Sequence, residues 1–191
     1  MGAQGSFIKR LTDVIISLFI LIICIPVFII IIIAIKLDSK GPAFFIHERT
    51  GLNGKNFKMI KFRGMIDNAL AHGPLLTQPD DPRITRVGRF LRRTSIDELP
   101  QFINVLKGEM SIVGPRPEMA EITESYSEED RKVFQFKPGI TGYSQVNGRQ
   151  MLTSSERSKM EIEYYSKATF WSDFKILLKT FKVVITNDGN I

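Results

Sequence analysis

Twenty-two consecutive residues, Val14 to Ile35, carry no charge, and isoleucine dominates them. As a helix this run would reach roughly 33 Å, enough to cross a hydrocarbon core. It is long for the apolar region of a signal peptide, and no small-residue cleavage site follows it, so a cleaved leader is not expected. Pro26 sits near its centre, where it removes a backbone hydrogen bond and bends the helix. Basic residues flank the run on both sides: Lys9 and Arg10 before it, and Lys36, Lys40, Arg49, Lys55, Lys58, Lys61 and Arg63 after it. The positive-inside tendency asks both ends to be cytoplasmic. Two readings stand level on these residues. One is a single spanning helix. The other is a helix that enters, breaks at Ile25-Pro26 and leaves on the same face, whose freed backbone groups need partners that hydrocarbon cannot supply. Either way the chain divides into an anchor over 1–40, with its helix over 9–36, and a second domain over 41–191.

The rest of the composition narrows the chemistry. A net charge of +6 favours anionic partners, whether nucleic acid, anionic lipid or a phosphorylated substrate. Nucleic acid would explain the charge but not the apolar run, and no nucleic-acid partner is expected. Cys24 is the sole cysteine, inside the apolar run, and His47 and His72 are the only histidines. That excludes an internal disulfide and argues against a Cys/His zinc site or a histidine-based triad.

After the apolar run, Gly41-Pro42 signals a turn. Ala43 to Ile46 and Phe57 to Phe62 read as strands joined by a hairpin turn at Gly51-Leu52-Asn53-Gly54. Ala71 to Pro82 reads as a loop. Ile84 to Arg93 has helical spacing of apolar residues at 84, 87, 90 and 91, surrounded by Arg83, Arg86, Arg89, Arg92 and Arg93. Such a helix suits an anionic membrane surface, and an ordinary solvated helix gives the same pattern. Ser95-Ile96-Asp97-Glu98 matches a capping box that starts a helix running to about Leu106. Glu118 to Lys132 is expected to be helical, and Pro138 to Arg149 an ordered loop. Two further helices are expected over Ser154–Tyr165 and Ser172–Ile185. The last pairs Trp171, Phe174, Leu177, Leu178 and Phe181 with three lysines. It suits a membrane interface, or a core-facing stripe with a solvated basic face. The fold class is therefore α+β, mostly helical, with a small hairpin or sheet element.

Asp97-Glu98 is the most suggestive chemical pair. A helix N-terminus favours ionised carboxylates, the form that a nucleophile or a metal ligand requires. Acidic residues also occur in first turns for capping alone. Arg116, held between Pro115 and Pro117, is more specific, because the prolines aim its planar fork as phosphate binding requires. Lys61, Arg63 and Arg149 lie near glycines or in compact segments and are further candidates for phosphate contact. No Walker-type or dinucleotide glycine fingerprint is present.

Taken together, these segments resemble the bacterial sugar transferase family, the small monotopic phosphoglycosyl transferases. The resemblance rests on KFRGM at 61–65, DPRITRVGRFLRRTSIDELPQ at 81–101, NVLKGEMSIVGPRP at 104–117 and PGITGYSQVNGR at 138–149. It runs from Lys9 to about Lys182. It implies transfer of a sugar 1-phosphate from a UDP-sugar to a polyprenol phosphate such as undecaprenyl phosphate, releasing UMP, with Mg²⁺ required. It implies a bacterial inner-membrane enzyme whose catalytic domain lies on the cytoplasmic face, with a re-entrant helix in the bilayer. By the same resemblance Asp97 is the nucleophile that forms a covalent phosphosugar intermediate, and Glu98 assists with the metal or the proton. Lys61, Arg63, Arg89, Arg116, Arg149 and Gln145 become the candidate substrate contacts. The chain departs from the family's usual residues in four places. Ile25-Pro26 stands for Ser-Pro at the break, Gly64 for Ser or Thr in KFRGM, His47 for Gln, and Tyr143-Ser144 for Trp-Ala. A non-catalytic membrane adaptor and a metal-dependent phosphohydrolase are the competing readings, and a homo-oligomer is compatible with all three.

Overall fold

The computed structural model describes residues 6–78, 80–147 and 152–186. The apolar run forms two helices, α1 (Phe7–Ile23) and α2 (Ile25–Asp38), bent by 61° at Cys24. Pro26 lies in the first turn of α2, where its missing N–H costs least. The Cys24 N–H donates to Ile20 O at 2.9 Å, and Phe28 N–H donates to Cys24 O at 2.8 Å, so the helical ladder continues on both sides of the break. Among the described residues no single helix is long and apolar enough to cross a membrane. The bent pair together meets that requirement by length and composition.

One face of α1 is polar and buried. Lys9, Asp13 and Ser17 recur every four residues, which stacks them on one side of a helix. Lys9 Nζ lies 2.5 Å from Asp173 Oδ2 on the last helix. The Asp13 carboxylate accepts from Ser111 Oγ at 2.7 Å and from Ile112 N at 3.3 Å. Arg10 donates to Val105 O and Leu106 O, at 2.6 and 2.9 Å, where α4 (Gln101–Lys107) ends, and Val105 O also accepts from the capping Gly108 N. The cations flanking the apolar run thus serve specific folding contacts. The opposite face of α1 leaves Leu11, Ile15, Leu18, Phe19 and Ile22 exposed. On α2 only Ile31 and Ile35 are buried.

The hairpin forms as its turn signal requires. Strands β1 (Phe44–Thr50) and β2 (Asn56–Phe62) pair antiparallel, with Phe44 opposite Phe62 and Thr50 opposite Asn56. Asn53 and Gly54 take the positive φ values of the turn, 56° and 75°. A second, two-stranded parallel pair joins β3 (Ser111–Val113) to β4 (Gly139–Thr141). The fully buried Asn104 ties α4 to the hairpin: its Nδ2 donates to Lys58 O at 2.8 Å and its Oδ1 accepts from Ile60 N at 3.1 Å. Around these sit α3 (Arg86–Arg93), α5 (Ala120–Thr123), α6 (Glu128–Arg131), α7 (Tyr143–Val146), α8 (Ser154–Ser166) and α9 (Phe170–Thr186). The architecture is α+β and mostly helical, as expected. One apolar cluster gathers Met59, Phe102, Val105, Met110, Val113 and Tyr165. A second joins α2 to Phe62 and Leu91.

Four local expectations change. The capping box at Ser95 does not form. Ser95 is left-handed with φ 56°, its side chain caps nothing, and Ile96–Glu98 is a single 3₁₀ turn. α4 starts only at Gln101, behind Pro100, which lacks the N–H that a continuous helix would use. The helix expected over Glu118–Lys132 is two single turns, α5 and α6, separated at Tyr126-Ser127, where Ser127 caps the second. The loop expected over 138–149 carries β4 and α7 instead. On α9, the stripe of Trp171, Phe174, Leu178 and Phe181 faces outward, with Trp171 and Phe181 each 70% exposed. The core-facing reading holds only for Leu177, which packs against the main apolar cluster, because the buried side of α9 is made by Asp173 and Ile176, on a different face.

Helix α3 approaches the end of β2 so closely that a Cβ on Gly88 would lie 1.9 Å from Gly64 O. Backbone cannot yield as a flexible side chain can, so Gly88→Ala should cost about 3 kcal/mol in chemical denaturation of the detergent-solubilised protein. Gly64→Ser should stay within about 0.5 kcal/mol of wild type, since a Cβ there meets the Arg92 stem at 3.4 Å and Gly88 Cα at 3.6 Å, both ordinary contacts.

Candidate active site

Ser95 turns the chain back sharply after α3, and the 3₁₀ turn that follows brings Asp97 and Glu98 to a cavity of about 900 Å³. Strand β2 contributes Lys61 from one side, and the rigid Pro115-Arg116-Pro117 turn contributes Arg116 from another. Glu98 Oε1 accepts from Lys61 Nζ at 2.7 Å and lies 3.4 Å from both terminal nitrogens of the Arg116 fork. Residues far apart in sequence thus meet on one carboxylate oxygen.

Burial pushes the Asp97 carboxyl up to about 6; Lys61 opposes that rise, Glu98 adds to it, and Arg92 and Arg116 oppose it further. Burial also disfavours the Arg116 charge, but Glu98, Glu118 and Asp97 outweigh it and hold that guanidinium above its ordinary value. Arg49 is lowered to about 10 by burial and by Arg116. The cavity therefore carries closely spaced cations around two adjacent carboxylates, an arrangement suited to several phosphate charges.

Not every expected contact lies here. Arg63 lines the cavity, but its guanidinium donates to Lys40 O, Ser39 O and Ser39 Oγ at 2.7, 2.9 and 2.9 Å, so it closes the end of α2. Arg89 is exposed on α3 and does not line the cavity. Gln145 lies in the buried α7 turn, where its Nε2 donates to Ile140 O at 3.1 Å. Arg149 lies outside the described residues. Four arginines not proposed as substrate contacts from the sequence line the cavity: Arg49, Arg83, Arg92 and Arg157; of these Arg83 is paired with Asp81. Arg157 pairs with Glu118 directly after the Pro-Arg-Pro turn. Arg92 had a signal in the sequence, since it lies within the DPRITRVGRFLRRTSIDELPQ segment at 81–101. Arg49 and Arg157 had none, because only the fold brings β1 and α8 to this wall. Among the described residues no group of three or more His, Cys, Asp or Glu could form a metal cage.

Behind the cavity wall, Glu161 is 2% exposed. Its Oε1 accepts from Ser144 N at 3.1 Å and also from Ser144 Oγ. Ser144 in turn lines the cavity. Burial raises the Glu161 carboxyl from 4.5 to about 7, against the opposing hydrogen bonds from Ser144 and the charge of Arg157. The folded state therefore holds this proton more tightly than the unfolded chain. The associated stability is present below about pH 4.5 and is lost as pH rises to about 7. Thermal melts from pH 5 to 8 should show a falling melting temperature in the wild type and a smaller fall in Glu161→Gln.

The bacterial sugar transferase family matches residues 4–187 of this chain. The chain is 42% identical to an undecaprenyl-phosphate galactose phosphotransferase of Salmonella typhimurium, over 97% of this chain and 42% of that protein. It is 42% identical to a UDP-glucose:undecaprenyl-phosphate glucose-1-phosphate transferase of Escherichia coli, over 94% of this chain and 40% of that protein. It is also 41% identical to EpsL, an uncharacterized sugar transferase of Bacillus subtilis, over 95% of this chain and 89% of EpsL. The chain thus spans less than half the length of the first two relatives and most of the third. Matched along nearly its whole length, with Asp97, Glu98 and Arg116 gathered at one cavity, it belongs to the bacterial sugar transferase family.

Proposed function

We propose that this chain transfers a sugar 1-phosphate from a UDP-sugar to a polyprenol phosphate such as undecaprenyl phosphate. The observation that carries the reading is the meeting of Asp97, Glu98, Lys61 and Arg116 at one large cavity beside a bent apolar helix pair. The names of the Salmonella and E. coli relatives support it and differ in the sugar. In the first step an Asp97 carboxylate oxygen attacks the sugar-linked phosphorus. A bond forms from that oxygen to phosphorus, the diphosphate P–O bond breaks, and UMP leaves with the electron pair. In the second step a polyprenyl phosphate oxygen attacks the same phosphorus and Asp97 leaves as carboxylate, giving polyprenyl-diphosphate-sugar. Lys61, Arg92 and Arg116 offset the charge on the phosphates, and Glu98 keeps Lys61 and Arg116 in place. Such a product begins the membrane stage of a bacterial glycoconjugate.

Magnesium fits this donor set. It commonly takes one or two carboxylates and completes its shell with water and substrate phosphates rather than with an all-protein cage. Asp97 and Glu98 are the residues that would hold it, and it would supply further neutralisation of the diphosphate. The bent pair α1–α2 would sit in the cytoplasmic leaflet of the inner membrane, entering and leaving on the same side. The outward apolar faces of α1 and α9 support that placement, because exposed apolar area of this extent marks a contact surface.

Asp97→Asn should abolish UMP release and lipid-linked product while the melting temperature stays near wild type. Residual turnover above about a tenth would sink the nucleophile assignment, since losing a covalent step should exceed one decade in rate. A hydrolase would instead release free sugar phosphate without the lipid acceptor.

The same-side topology is tested with single cysteines at Ser6 and Lys40 in a Cys24→Ser background. Both should resist a membrane-impermeant thiol reagent until the cells are opened. Labelling at position 6 in intact cells would overturn the re-entrant placement, whatever the activity. Pro26→Ala should shift part of the population to that labelled state.

A further inference from the structure

The cavity has a second, apolar half. Ile66, Leu70, Leu75 and Leu76 all line it, yet they remain 37–62% exposed. Their segment is held in place by polar contacts. Ile66 N donates to Arg83 O at 2.8 Å, Arg83 donates to Ala69 O at 3.0 Å, and Arg92 donates to Thr77 Oγ1 at 3.0 Å. These ties fix the backbone and leave the aliphatic side chains uncovered along the cavity edge. Phe44, on the hairpin side, also lines the cavity. Its ring stacks on Phe62 at 5.3 Å, and Phe62 meets Phe28 of α2 edge-on at 4.9 Å. These packed rings join α2 to the cavity wall, and the charged part of the cavity holds Asp97 and Lys61.

We propose that the apolar edge formed by Ile66, Leu70, Leu75 and Leu76 binds the first isoprene units of the polyprenyl phosphate acceptor. This assignment rests on the transfer reading and says where each substrate lies. A nucleotide sugar is polar along its length and gains little from four uncovered aliphatic side chains. A polyprenyl phosphate needs cations for its head and apolar surface for the carbons next to it, in that order. The cavity offers both along its lining. The head reaches the phosphorylated Asp97 between Lys61 and Arg92, and the chain leaves over the leucines toward the bilayer. The nucleotide end of the donor takes the opposite wall, beside Arg49, Arg116 and Arg157.

The test uses the full chain in bilayer nanodiscs and a polyprenyl phosphate carrying a photoreactive diazirine on its second isoprene. Peptide mapping should place the label within residues 66–76. In Leu70→Ser/Leu75→Ser the labelling should fall and the acceptor KM should rise about tenfold, while KM for the UDP-sugar stays within about twofold. Label confined to α1 or α9, or an unchanged acceptor KM, would overturn the assignment and make the leucines a bilayer contact only. A raised KM for the UDP-sugar alone would place the donor there instead and overturn it equally. The label map does not depend on turnover. A wild-type chain that binds the lipid over 66–76 but releases no UMP would sink the transfer reading and leave the acceptor site standing.

Discussion

The buried ion pair between Lys9 and Asp173 is the interaction on which the rest of the arrangement depends. An apolar helix pair has no sequence-specific reason to lie in one orientation against a charged domain, because apolar contact is non-directional. Polar contacts supply the direction. Lys9 fixes α1 to α9, Asp13 fixes it to β3, and Arg10 closes α4. Such groups are costly to bury unless they are paired, so any other docking of α1 would strand several of them at once. The outcome is one allowed seating of the bent pair, with its apolar face outward.

That seating carries through to the cavity by short links. Arg63 clamps the end of α2 to the end of β2, and Lys61 stands two residues earlier on the same strand. Asp38 accepts from Val87 N at 2.9 Å, which positions the start of α3. From α3 the left-handed Ser95 redirects the chain so that Asp97 and Glu98 face the cavity. The carboxylates are thus placed relative to the apolar helices by a few hydrogen bonds rather than by a long lever. Under the proposed transfer to a polyprenyl phosphate this shortness would have a use: the reacting phosphorus would stay close to the surface that delivers the lipid.

Within the cavity, burial and charge oppose each other. Burial alone would protonate Asp97 and discharge Arg49, and each is shifted in that direction. The cations and carboxylates offset this by sharing partners, with Lys61 and Arg116 meeting on Glu98. The diphosphate of the proposed donor would add the negative charge that a cluster rich in arginine lacks. Electrostatic preorganisation of this kind acts without reorganisation at the moment of reaction.

The apolar run and its break at Pro26, the hairpin and its turn, the α+β class, helices α3, α8 and α9, and the set Lys61, Asp97, Glu98 and Arg116 were all legible in the sequence. Each depends on local rules: hydropathy over one segment, turn residues, or an ordered set of motifs. Tertiary structure decided what local rules cannot reach. Arg63 sits beside Lys61 in a motif that suggested phosphate binding, yet its donors go to Ser39 and Lys40, just after α2. Arg157 gives no local sign of a role, yet the packing of α8 brings it to the cavity. The outward face of α9 was undecided, because an amphipathic helix shows two faces and the sequence does not say which one meets protein. Ser95 matched a capping box and instead took a left-handed turn, because Pro100 prevents the helix that the box would have started. For the first three the physical reason is common: a side chain's task depends on which partner lies within reach, and those partners come from residues that only the fold brings near.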